Sequence, residues 1–126
     1  MLTLTMATLV VPEYDQGIDF FVGRLSFHLV EDTPLADGKR WVVVAPRPSE
    51  AGLLLARAVT GSQRAHIGDQ TGGRVSFFLR SDDFGADHQR LLQAGVAFME
   101  APRQESYGRV AVFRDPFGNL WDLVGA

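Results

Sequence analysis

Asp115-Pro116-Phe117-Gly118-Asn119-Leu120-Trp121-Asp122-Leu123 closes the sequence as a turn followed by a strand. Pro116 presets φ, Gly118 permits conformations that other residues avoid, and Asn119 tolerates them, so these residues predict a hairpin turn. Alternation along the strand then sends Asp122 and Leu123 to opposite faces. Asp122 is expected to be the one turned toward a pocket.

Outward from this ending, residues 109–113 and 96–99 read as two further strands. Ahead of them Ser81-Asp82-Asp83 opens a helix bearing Phe84, Leu91 and Leu92 that ends at Gly95, and residues 75–79 form the strand before it. The first half carries the same order. A strand at 4–11 precedes a short helix capped by Asp15, bearing Ile18, Phe21 and Val22 and ending at Gly23; strands at 26–31, 41–44 and 53–59 follow. Gly23-Arg24-Leu25-Ser26-Phe27 answers Ala94-Gly95-Val96-Ala97-Phe98, and Trp41-Val42-Val43-Val44 answers Val110-Ala111-Val112-Phe113. Neither half has enough strands to bury a sheet face alone, so the repeat predicts one α+β domain of two βαβββ modules. The modules span 1–59 and 74–126, with a polar connector at 60–73.

The chain has 126 residues, of which 46% are hydrophobic and 21% charged, the balance of a globular protein with a real core. Net charge is -3 and no Lys/Arg cluster occurs, which argues against nucleic acid as a partner. The absence of Cys excludes disulfides, thiolate metal sites and Cys nucleophiles, and fits a cytoplasmic protein. The apolar opening has no basic residues before it and is interrupted by Thr3, Thr5 and Thr8, so it reads as a strand and not as a signal sequence or membrane span.

Two βαβββ units in so short a chain resemble the vicinal oxygen chelate superfamily, the glyoxalase, bleomycin-resistance and extradiol dioxygenase type, and this resemblance implies a curved mixed sheet around a cleft. The residues that carry the likeness are the Asp115–Leu123 ending, similar to that superfamily's D-P-x-G-N-x-x-E-L, together with Phe20-Phe21 and the run from Phe77 to Asp83 followed by Gly95-Val96. The resemblance implies metal ligands of the His, Glu or Gln type, one from the first and one from the last strand of each half. Carried over by position, they fall on Asp122, near Ser76, near Met6 or Thr8, and within Leu53-Leu54-Leu55-Ala56. One carboxylate does not make a set of four donors. No metal residue and no cofactor are therefore expected, while the resemblance itself keeps a divalent metal open.

The leading expectation is a glyoxalase/bleomycin-resistance-like protein that binds a small molecule in a sheet-lined cleft without the full metal site. The alternatives are a metal-dependent lyase, isomerase or dioxygenase using Asp122, and a non-catalytic dimeric structural or regulatory protein. If the protein is an enzyme, Asp122 and His66 are the catalytic candidates, His66 because connectors fold over pockets. The ligand-binding candidates are Trp41, Phe78, Tyr107 and Trp121 for stacking, with Gln70, Arg74, Ser76 and Arg109 for polar contacts. Paired glycines in Gly68-Asp69-Gln70-Thr71-Gly72-Gly73-Arg74 allow close backbone approach to a ligand. Exposed sheet edges of such folds make a homodimer the expected assembly.

Overall fold

The β-branched run Val42-Val43-Val44 lies in β3 (Arg40–Ala45), an interior strand hydrogen-bonded on both sides, the setting in which branched side chains pack best. On one side runs β4 (Gly52–Arg57) and on the other β2 (His28–Pro34), both antiparallel to β3; β1 (Met6–Val11) pairs in parallel with β4. The computed structural model describes residues 1–126 and resolves two compact units, Met1–Ile67 and Gly68–Ala126.

In the first unit α1 (Tyr14–Ile18) packs on the sheet through Gly17, where a Cβ would come 2.7 Å from a Leu55 methyl. The helix starts one residue before Asp15, which lies in its first turn and does not cap it. It continues as a π turn over Asp19–Arg24. That widening brings Phe20 and Phe21 into the core together, with ring centroids 5.1 Å apart, whereas a 3.6-residue period selects Phe21 with Ile18 and Val22. Beneath them lie Leu9, Val11, Val42, Val44 and Leu55. Full burial of such a side chain is worth roughly 1.5–3 kcal/mol.

The second unit repeats the plan. β5 (Val75–Ser81) is parallel to β9 (Leu120–Gly125), which is antiparallel to β8 (Gly108–Arg114). Beyond β8 the third strand is divided between β6 (Ala97–Phe98) and β7 (Arg103–Glu105). The sequence reading placed a single strand at 96–99; Pro102 interrupts it, and the charged three-residue β7 carries no alternation to reveal it. α3 (Phe84–Gln93) has Asp83 at its N-cap and ends as expected at Gly95, at φ +83°. Val96 N–H reaches Leu91 O and Gly95 N–H reaches Leu92 O, the paired bonds that close a helix on a left-handed residue. Within the polar connector a further short helix appears, α2 (Gly61–Ala65), fixed by a reciprocal cap between Thr60 and Gln63.

The turn before β9 is organised by one side chain. Asp115 is buried; its Oδ1 accepts from the backbone N–H groups of Phe117, Gly118 and Asn119 at 2.9–3.0 Å, and its Oδ2 accepts from Asn119 Nδ2 and Trp121 Nε1. Gly68 lies against this turn so closely that a Cβ there would stand 2.0 Å from Phe117 O. Asp115→Ala removes the side-chain acceptor shared by five donors, although the Gly118 N–H keeps the backbone oxygen of residue 115 at 3.1 Å, and is expected to cost at least about 3 kcal/mol in urea denaturation. Gly68→Ala should also destabilise, through backbone contact and a left-handed φ of +72°. A wild-type midpoint in Asp115→Ala would contradict the role assigned to this carboxylate.

Candidate functional site

Each sheet has a helix-covered face and a face turned away from its helix. In the second unit Phe77, Trp121, Phe113 and Phe98 build the covered face as a ladder of rings, with centroid separations of 4.4, 5.7 and 5.5 Å. His88 packs edge-on to Phe98 at 4.5 Å and stacks with Phe84, so it serves the packing under α3. Trp121 is 2% exposed and belongs to this core, not to an accessible wall. Arg109 lies on the same side, its guanidinium 4.8 Å from the Phe84 ring centroid.

The opposite, open face carries the next residues of each strand. Asp122 on β9 is paired with Phe78 on β5 and Val112 on β8, which puts the three side chains in one row across the sheet. Phe78 is 67% exposed. Asp122 Oδ1 is buried and has no hydrogen-bond partner. Burial therefore pushes the Asp122 carboxyl above the ordinary carboxylate range; nearby Arg103 opposes this and Glu100 adds to it. Arg103 is itself occupied, held by Glu105 and by Glu100 at 3.2 Å, with a smaller contribution from Tyr107, and these contacts keep its guanidinium firmly protonated. Glu100 also accepts the Val112 N–H at 3.3 Å. Tyr107 is 64% exposed at the β7–β8 turn.

The remaining expected site residues are placed elsewhere. Ser76 bonds through its hydroxyl to Thr71 at 3.1 Å, and Thr71 in turn donates to Arg74 O, so both braces stay within the loop. Arg74 is exposed and Gln70 half-buried in that same loop. Gly72 and Gly73 hold left-handed turns in open space. His66 ends α2 in the first unit, exposed, with Nδ1 2.7 Å from Ser62 O. Asp122 belongs to the second unit.

In the first unit Trp41 borders a cavity of about 460 Å³ at the ends of β3 and β4, shared with Tyr14, Leu35, Lys39, Arg57 and Val59. Sequence reasoning missed this cluster because Tyr14, Lys39 and Arg57 lie far apart along the chain and no periodicity links them. Glu100 and Arg103 escaped for the same reason that β7 did.

The family model described as Glyoxalase/Bleomycin resistance protein/Dioxygenase superfamily matches residues 3–123. The chain belongs to this superfamily. An uncharacterized protein of Shewanella frigidimarina (strain NCIMB 400) is 52% identical over 118 residues, covering 92% of this chain and 87% of the relative. Among solved structures, UcmS2 superposes with a TM-score of 0.84 at 27% identity, covering 98% of both chains. TnmS3, an antibiotic binding protein from Streptomyces sp. CB03234, superposes with a TM-score of 0.78 at 30% identity, covering 99% of this chain and 96% of that one.

The divalent metal often found in this superfamily is a poor match for the side chains present. On the open faces the parallel strand pairs set Thr8 against Leu54 and Phe78 against Asp122. Within the first unit that pair offers one hydroxyl and within the second one carboxylate, and neither is the nitrogen- and oxygen-rich set such ions require. No group of three or more His, Asp or Glu side chains is placed to hold an ion.

Because the carboxyl of Asp122 is raised in the fold, ionising it costs more there than in the unfolded chain. The penalty is present at neutral pH and disappears as pH falls below the raised value. Asp122→Asn is thus expected to stabilise the protein at pH 7, with the gain fading toward the ordinary Asp value of 3.8. Urea denaturation of both proteins across this range checks the sign; an Asn variant less stable at pH 7 would contradict it.

Proposed function

We propose that this protein binds a small organic molecule against the open sheet face of Phe78 and Asp122, and does so without the divalent metal of its relatives. The observation that carries the reading is the pairing of those two residues. An exposed ring offers a flat body a stacking surface, and the half-buried Asp122 carboxyl beside it offers an acceptor for a ligand O–H or N–H. A ligand that meets both is planar and carries at least one hydrogen-bond donor near its edge. The antibiotic binding described for TnmS3 supports sequestration as the activity. Binding of this kind needs no nucleophile or redox centre, only complementarity.

A homodimer in the cytoplasm is part of this reading. It is supported by the superfamily's habit of dimerising, and no helix is long and apolar enough to cross a membrane.

Two measurements test the proposal. Metal analysis of protein purified without chelators is expected to find no stoichiometric Zn, Ni, Mn or Fe, and finding one would overturn the metal-independent mechanism. Thermal-shift screening against aromatic antibiotics and metabolites is expected to give stabilising ligands, since occupancy at a hundred times Kd adds about 2.7 kcal/mol. Those shifts should collapse in Phe78→Ala. Ligands that stabilise wild type and Phe78→Ala equally would place binding elsewhere.

A further inference from the structure

Tyr14, buried at the start of α1, lies between two guanidinium groups: Arg40 is 5.3 Å and Arg57 5.4 Å from its ring centroid. The two arginines are in different chemical states. Arg40 is saturated, with two bonds to Asp32 at 3.1 and 2.8 Å and a third to Asp15 at 2.9 Å. These contacts lower the Asp32 carboxyl and fix the Arg40 side chain. Arg57 has only Glu13, at 3.9 Å, beyond hydrogen-bonding distance. Its guanidinium is oriented by the Tyr14 ring while its N–H donors remain available.

A second cation accompanies it. The 3₁₀ turn at Ala36–Gly38 passes beside Arg57, whose Nη2 is 4.0 Å from the position of a Cβ on Gly38. Lys39, the only lysine of the chain, follows directly and carries no ion pair. Both residues border the cavity of about 460 Å³, whose other walls include Leu35, Trp41 and Val59, all three exposed.

We propose that this strand-end cavity of the first unit is a separate receptor for an organic carboxylate with a flat apolar body. The planar fork of Arg57 matches a carboxylate with two parallel N–H···O bonds, and holding it on Tyr14 in advance reduces the ordering needed on binding. Lys39 adds a mobile ammonium at the rim. Trp41, Leu35 and Val59 receive the apolar body. A cationic ligand meets the Lys39 ammonium and a guanidinium whose ion pair with Glu13, at 3.9 Å, is too long for a hydrogen bond, and a neutral ligand leaves the donors of both without an anion.

Calorimetric titration of the full chain with 2-naphthoate and with 2-naphthamide tests this directly. Naphthoate is expected to bind saturably, to quench the fluorescence of Trp41, and to weaken as salt is raised. Naphthamide, equal in shape and uncharged, should bind about tenfold more weakly or worse. Lys39→Gln and Arg57→Gln should each weaken naphthoate by about tenfold while leaving naphthamide unchanged. Arg57→Lys, which keeps the charge and loses the fork, should fall between wild type and Arg57→Gln. Lys39 is exposed, so its variant reads charge without a folding complication. Phe78→Ala, in the other unit, should leave naphthoate binding intact. Equal affinity for the two probes in the Phe78→Ala background, no saturable naphthoate binding, or naphthoate binding lost in Phe78→Ala and kept in both Gln variants would each overturn the proposal. The Phe78→Ala background keeps the two sites apart: probe binding that disappears there belongs to the Phe78 and Asp122 site, and binding that disappears in the Lys39 and Arg57 variants belongs to this one.

Discussion

The carboxylate of Asp115 is the constraint from which the second unit is built. It is buried, and its two oxygens collect three backbone N–H groups, a side-chain amide and an indole. A buried charge is tolerable only when its lone pairs are met in this way. Meeting them fixes the turn, the turn sets where β9 begins, and the register of β9 decides which residues face the ring ladder. Trp121 is the clearest product: its indole is both a rung between Phe77 and Phe113 and a donor to Asp115, which locks the strand rotationally. Asp122, one residue later, is thereby committed to the open face.

Much of this was legible in the sequence. The turn residues at 115–119, the repeated order of strand, helix and strands, and the Gly95 helix stop each depend on local backbone chemistry, and all appear where local rules put them. Trp121 shows where local reading stops. Its neighbour Asp122 was assigned to the open side, and alternation then requires Trp121 to face away from it, yet its aromatic character suggested stacking on a ligand. The decisive fact is the Asp115 acceptor six residues earlier, a contact that no periodicity expresses. His88 is similar: a helix position between polar residues looks solvent-facing until Phe84 and Phe98 close on its ring.

Residues that sequence reasoning did not assemble share a feature. Tyr14, Lys39 and Arg57 come from the start of a helix, a 3₁₀ turn and the end of a strand, and only the sheet order β1-β4-β3-β2 makes them neighbours. Glu100 and Arg103 flank Pro102 in a stretch too short and too charged to announce a strand. The two units also differ in chemistry despite their common plan. The first presents cations beside exposed apolar groups, and the second presents a carboxyl oxygen without a donor beside an exposed ring. Repetition of a backbone has not preserved a repeated surface.

The parallel pairing of the outermost strands has a consequence in time. Met6 meets Gly52 and Val75 meets Leu120, so within each unit the opening strand waits for the closing one before its hydrogen bonds are made. On a ribosome the N-terminal unit acquires its last strand while most of the C-terminal unit is still unsynthesised. The first sheet thus has all of its own strands before the second is whole, and the order of synthesis favours pairing within a module over pairing between modules.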